Sequence, residues 1–436
     1  MRSKYRWWLV LLGACLSLVA RAQPAIEFTQ VPPFGSSADL YGRVTGVAPT
    51  DFNVAVYIFI SGGGWWTKPN SASPLTAIQT NGTWQCDITT GGIDQCARQI
   101  AAFLVPTNYT PPLAAGDEGL PAGLATNAVA NLTVTRPFPR QLHFSGYDWE
   151  VKTSCGGRAG PGPNYFSDSV SNVWVDVQGQ LHLRITNTND QWQCVEMISR
   201  RSFGHGTYRS YLDSPADLLD LNAVLGLFTW SEDPSYSHRE IDVEVSRWSD
   251  ASDTNNTQFV VQPWDTAGHR VRFQVPSGLT NSTHSFTWAT NQVFFQSHQG
   301  NLVSPPATNP VISQWTFNQS GVPVPGGENV HLNLWLYNGA APTNGQPVEV
   351  IVSRFVFVPS PLVAPTVTAV QIPTNRQFQL HAIGEPQLSY ILQTSSNLTD
   401  WTSASTNLTV EGPLDLVDTN ASSFLHRFYR LLVPPQ

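Results

Sequence analysis

The apolar residues of this chain fall in short runs, some alternating with polar residues and some continuous. Val54–Ile60, Leu181–Ile185 and Val348–Val352 are the clearest, and they are rich in β-branched and aromatic types. Such runs suit pleated strands, whose successive side chains point to opposite faces. Clusters of Gly, Pro, Asn, Asp and Ser separate them, and no 3.6-residue apolar period is sustained. The pattern predicts an all-β protein built of sandwiches.

Two proline-rich stretches interrupt the strand pattern, Arg136-Pro137-Phe138-Pro139-Arg140 and Val358-Pro359-Ser360-Pro361. They predict an N-terminal β-module (23–138), a large central sandwich (139–358) and a C-terminal accessory β-module (359–436). Before them, Arg2, Lys4 and Arg6 precede the apolar run Trp7–Ala14, and Ala20-Arg21-Ala22 follows. This order reads as a secretory signal peptide (1–22), cleaved before Gln23. Leu12-Gly13-Ala14-Cys15 offers lipoprotein anchoring at Cys15 as the alternative. After Cys15, four cysteines remain for an oxidising compartment: Cys86, Cys96, Cys155 and Cys194. Pairing within regions, Cys86 with Cys96 and Cys155 with Cys194, is the simplest of three connectivities.

Composition narrows the function. Only 12% of residues are charged, against about 25% in an average soluble protein. Yet the chain has 15 Trp, 12 Tyr and 21 Phe, which excludes a disordered chain. A net charge of −8 and three lysines, Lys4, Lys68 and Lys152, argue against nucleic acid as a partner. No apolar stretch after the signal reaches bilayer length, so no membrane span is expected after cleavage. The expected protein is a monomer with a neutral, aromatic-rich surface.

The segment Glu240-Ile241-Asp242-Val243-Glu244-Val245 carries the chemistry. On a strand, Glu240, Asp242 and Glu244 share one face while Ile241, Val243 and Val245 enter the core. A solvated strand face or a calcium site would also accommodate three acids. Catalysis explains them better, because like charges on one face repel unless their protonation states differ. A retaining glycosidase needs two carboxyl groups about 5–5.5 Å apart, and a third between them keeps their pKa values apart. Four residues of strand separate Cα atoms by about 13 Å, so the hypothesis requires a concave sheet.

Glu-Ile-Asp-Val-Glu on a strand resembles the catalytic strand of glycoside hydrolase family 16, which includes lichenases and laminarinases. The resemblance runs from near Leu142 to Phe357. It includes Gly204-His205-Gly206-Thr207-Tyr208-Arg209, Gly226-Leu227-Phe228-Thr229-Trp230, Thr283-His284-Ser285-Phe286-Thr287-Trp288 and Asn333-Leu334-Trp335. It implies a concanavalin A-like β-jelly roll with a substrate cleft on its concave sheet. It further implies a secreted retaining endo-β-glycosidase acting on β-glucan or galactan, with Glu240 as nucleophile, Asp242 as its assistant and Glu244 as general acid/base. Trp230 and Trp335, with Asn333, would meet the sugar. Gln262 and Trp264, of matching parity, would line the cleft, and Asn164 would reach the sugar from its Gly-Pro-rich loop. His238 stands where lichenase-like members have Trp, so it would replace one sugar-binding wall, hydrogen-bond a hydroxyl or tune Glu240. No cofactor is required, although a structural calcium ion is compatible. The alternative is a non-catalytic carbohydrate-binding protein or adhesin on the same fold. In the N-terminal module, Trp65 and Trp66 offer a sugar grip, or else one packs inward and the other covers an edge.

Overall fold

The computed structural model describes residues 23–302, 311–373 and 377–434. The expected signal segment and Cys15 lie outside them. The regular structure of the described residues is nearly all strand, as the absence of a helical period predicts. Among the described residues, no helix is long and apolar enough to cross a membrane.

The central part is a two-sheet sandwich. One sheet contains β1 (Tyr147–Val151), β2 (Gln191–Ser199), β3 (Ala223–Trp230), β4 (Ile241–Val245), β5 (Thr257–Val261), β6 (Arg270–Phe273) and β7 (Asn329–Leu336). Its order is β6-β5-β4-β3-β7-β2, and β1 pairs with the far end of β2. The second sheet runs Leu181–Thr188, Val348–Pro359, Gly206–Leu212, Ser282–Ala289, Gln292–Gln299 and Val311–Phe317. The hairpin from Thr186 to Gln193 joins the two sheets along one side. The connections across sheets make this a jelly-roll sandwich.

Alternation on each strand builds the core. Ile241, Val243 and Val245 of β4 pack with Leu225 and Leu227 of β3 and Leu332 and Leu334 of β7. Trp288, Phe295 and Phe355 close the core from the opposite sheet. Burying residues of this size is the main stabilising term, and Trp288→Ala would cost about 3–5 kcal/mol.

The flanking segments each form a small two-sheet sandwich. Near the N-terminus, Leu40, Val44 and Trp84 pack on Val54, Val56 and Ile58. Near the C-terminus, Phe378 and Leu380 pack on Tyr390 and Leu392. That second cluster also contains Tyr211 and Val356, so it sits on the sheet opposite the cleft. Arg201 forks onto Glu385 at 2.7 and 3.1 Å beside it.

The cysteine pairing within regions is wrong. The disulfide joins Cys96 to Cys155, while Cys86 and Cys194 are buried free thiols. The within-region pairing treats the segments as independent. In the fold, the turn Asp94–Cys96 of the N-terminal module lies against the loop holding Cys155. Cys86 belongs to the N-terminal core. The Cys194 thiol donates to Asn164 Oδ1 at 3.5 Å.

Candidate active site

A cleft of about 690 Å³ lies over the outer face of the β6-to-β1 sheet. Register sets its floor. Asp242 stands opposite Phe228 of β3, and Glu244 stands opposite Gly226. Gly226 in turn pairs with Asn333, and Phe228 with His331. On the other side of β4, Glu244 faces Gln258 of β5. Glu240, Asp242 and Glu244 therefore line the cleft together. Gly226 leaves room for Asn333, since an added Cβ would lie 2.4 Å from Asn333 Oδ1 and displace that amide.

Glu240 leaves an unusual turn. Tyr236, Ser237, His238 and Arg239 have φ of 56, 51, 61 and 54°, a left-handed run that L-residues adopt only when held. Arg239 holds it, donating from Nε to Val324 O at 2.9 Å and from a terminal nitrogen to Asp233 Oδ2 at 2.8 Å. Thr229 donates its hydroxyl to Arg239 O at 2.9 Å, tying the turn to β3.

The carboxyl groups act on one another. Burial, then the charges of Glu240 and Glu244, raise Asp242 well above the usual carboxylate range. Burial, then the Glu244 charge, also raises Glu240, which shares a side-chain hydrogen bond with Asp242. Burial pushes Glu244 up to about 7, opposed by its bond to Gln258 and by the charges of Arg272 and Arg270. Gln258 donates from Nε2 to Glu244 Oε2 at 2.7 Å. Gln262 donates to Asp242 Oδ2 at 3.1 Å, and the Trp264 backbone N–H fixes Gln262 Oε1 at 2.8 Å. This surround can hold a proton on Asp242 while its neighbours differ in charge.

Most residues predicted from sequence to meet a ligand line this cleft: Trp230, Asn333, Trp335, Gln262 and Trp264. Trp264 is 54% exposed, with the Arg270 guanidinium 5.0 Å from its ring centroid. Asn333 Oδ1 is buried without a hydrogen-bond partner. Two residues depart from expectation. Asn164 is buried and donates to Pro161 O and Leu336 O at 2.9 and 2.8 Å, so its amide is spent within the protein. His238 is absent from the lining and stacks on Trp230, with centroids 4.0 Å apart and planes 6° apart. The left-handed turn swings its ring onto Trp230 instead of over the cleft. Trp65 is buried against Phe59, and Trp66 is 38% exposed.

Sequence reasoning missed a buried polar group in the cleft wall. Lys152 donates to Glu196 Oε2 at 2.9 Å and to Gly160 O at 2.7 Å. His331 Nδ1 lies 2.8 Å from Glu196 Oε1. Burial would raise the Glu196 carboxyl, but Lys152 and His331 outweigh it and hold it at about 2. Its lasting negative charge helps to raise Glu240. A lone Glu within Cys194-Val195-Glu196-Met197-Ile198 was the available signal, since buried charges need partners. Trp248 was also missed. It meets Trp335 and Tyr337 edge-on at 6.0 and 5.4 Å along the cleft. Among the described residues, no group of three or more His, Cys, Asp or Glu is placed to hold a metal ion.

Several solved structures resemble the chain. A β-glucanase of Bacillus licheniformis is 18% identical, covering 51% of this chain and 95% of its own, with a TM-score of 0.37. A laminarinase from Flavobacterium sp. UMI-01 is 12% identical, with coverages of 50% and 97% and a TM-score of 0.36. A Mycobacterium tuberculosis protein described as an immunostimulatory antigen and pseudo β-1,3-glucanase is 20% identical, with coverages of 47% and 88% and a TM-score of 0.34. Two of these neighbours are named as a β-glucanase and a laminarinase, and the third as a pseudo-glucanase. No protein-family profile and no curated protein matches the chain.

Proposed function

We propose that this chain is a secreted retaining endo-β-glycosidase that cleaves a β-linked polysaccharide of the β-glucan or galactan type. The central part, 139–358, is its catalytic unit, flanked by accessory modules at 23–138 and 359–436. The observation that carries the reading is the trio Glu240, Asp242 and Glu244, half-buried to buried at the entry to β4 and along it, on the floor of an aromatic-edged cleft.

Each residue has a role in this reading. Ionised Glu240 attacks the anomeric carbon and forms a glycosyl ester. Glu244 gives its proton to the departing glycosidic oxygen. Water then attacks the anomeric carbon of that ester as Glu244 takes the water's proton, the bond from that carbon to the Glu240 oxygen breaks, and Glu240 leaves as the carboxylate. Asp242 supports the cycle by keeping a proton that it donates to Glu240, which favours the Glu240 anion. The unpartnered Asn333 Oδ1 would accept from a sugar hydroxyl. Trp230, Trp264 and Trp335 offer faces or edges to the CH-rich sides of the rings. The Cys96–Cys155 disulfide supports action outside the cytoplasm.

The experiment is reducing-end release from β-1,3-glucan, mixed-linkage β-glucan and galactan by wild type and Glu240→Gln. Wild type should hydrolyse at least one polymer, and the variant should lose at least about a thousandfold in kcat. Equal release by both proteins from every polymer would refute the reading.

A further inference from the structure

The cleft does not end at Trp230. Beyond it lies a second cavity of about 420 Å³, and Trp230 and His331 border both spaces. The N-terminal module forms one side of this chamber, with Trp65, Gln99, Leu120 and Thr135. The sandwich forms the other, with Trp230 and Asn329.

The module is fixed in place at several points. The disulfide Cys96–Cys155 crosses the boundary. Arg98 pairs with Glu150 at 2.9 Å in a largely buried contact. Ser61 donates to Glu232 at 3.4 Å. Ser61 and Gly62 line the cleft, while Glu232 lines the chamber, so one contact borders both spaces. Gly62 has φ +72°, and an added Cβ would lie 2.5 Å from Gly160 N, so the module's turn sits tightly on the cleft-side loop.

We propose that the N-terminal module is a working part of the polysaccharide site. With the sandwich it encloses a second sugar-binding chamber that takes the units extending past Trp230. The chamber combines aromatic rings (Trp65, Trp230) with neutral hydrogen-bonding side chains (Gln99, Thr135, Asn329); its charged members already have partners, Arg98 with Glu150, Asp233 with Arg239 and Glu232 with Ser61, so the rings and neutral groups are left for an oligosaccharide. This inference rests on the glycosidase reading for the direction of its ligand, but it can be tested by binding alone.

The test uses the full chain carrying Glu240→Gln, titrated calorimetrically with β-1,3-linked, mixed-linkage and galactan oligosaccharides of increasing length. Leu120→Trp fills the chamber from the module side. Thr135→Trp does so from an exposed strand end, where folding is least disturbed. Affinity should climb with length in the parent, and each filling variant should bind the shortest ligands unchanged but lose roughly tenfold on the longest. Variants that keep the parent's whole series, or that weaken short and long ligands alike, would overturn the chamber. Hydrolysis by the Glu240-bearing protein is scored separately. If long oligosaccharides bind in the predicted series but are never cleaved, the glycosidase reading fails and the chamber stands. If no oligosaccharide binds, both fail.

Discussion

Gln258 donates to Glu244 at 2.7 Å while accepting from the Arg272 guanidinium at 2.9 Å. This neutral side chain passes part of a positive charge to the proposed acid, and the bond favours the Glu244 anion. Gln258→Leu removes it and should raise the pKa of Glu244. A general acid must be protonated, so the alkaline limb of the kcat/KM–pH profile should move to higher pH by up to about one unit. An unmoved limb would separate Gln258 from the chemistry.

The acidic trio should make stability depend on pH in an unusual direction. All three carboxyl pKa values are raised by burial first. A raised folded-state pKa gives stability that is full below the unfolded value and is lost as pH rises through the folded value. The loss through Glu244 should run from about 4.3, the unfolded value, to about 7. The melting temperature should therefore fall over this range. Glu240→Gln should raise it by about 2–4 °C near neutral pH and flatten the fall. A wild-type melting temperature that is level across the range would contradict the coupling.

Lys152 and Glu196 are paired with their side chains 4% exposed. Lys152→Met leaves the Glu196 charge buried with only His331 beside it. Chemical denaturation should show a loss of about 3–5 kcal/mol, mostly recovered when Glu196→Leu is added. Equal losses in the single and double variants would mean that the ion pair is not the cause.

Peptide mapping under non-reducing conditions should find Cys96 linked to Cys155, with Cys86 and Cys194 alkylated only after denaturation. Replacing both linked cysteines by Ser should lower the stability of the N-terminal unit by about 2–4 kcal/mol. Peptides linking Cys86 to Cys96 would contradict the fold at that boundary.

How much was legible in the sequence follows from the range of each signal. The common face of Glu240, Asp242 and Glu244 depends only on strand parity, which is local, so it could be read directly. Trp230, Asn333 and Trp335 share the cleft through register between β3 and β7, which motif order carried, while Gln262, just past β5, follows from parity. Lys152 just past β1, Glu196 on β2 and His331 on β7 are far apart in sequence, and only strand pairing brings them together. The stacking of His238 on Trp230 was not legible, because it depends on four consecutive left-handed residues, none of them Gly. The disulfide was misread because it reports how two modules pack, which no spacing within either one encodes.

The most direct test of the central claim is mass spectrometry of the protein treated with an activated 2-deoxy-2-fluoro-β-glycoside of its best substrate. Retaining hydrolysis through Glu240 predicts one added glycosyl group, mapped to the peptide containing Glu240 and absent from Glu240→Gln. An active enzyme that gains no adduct on Glu240 and releases its first product with inverted anomeric configuration would contradict it.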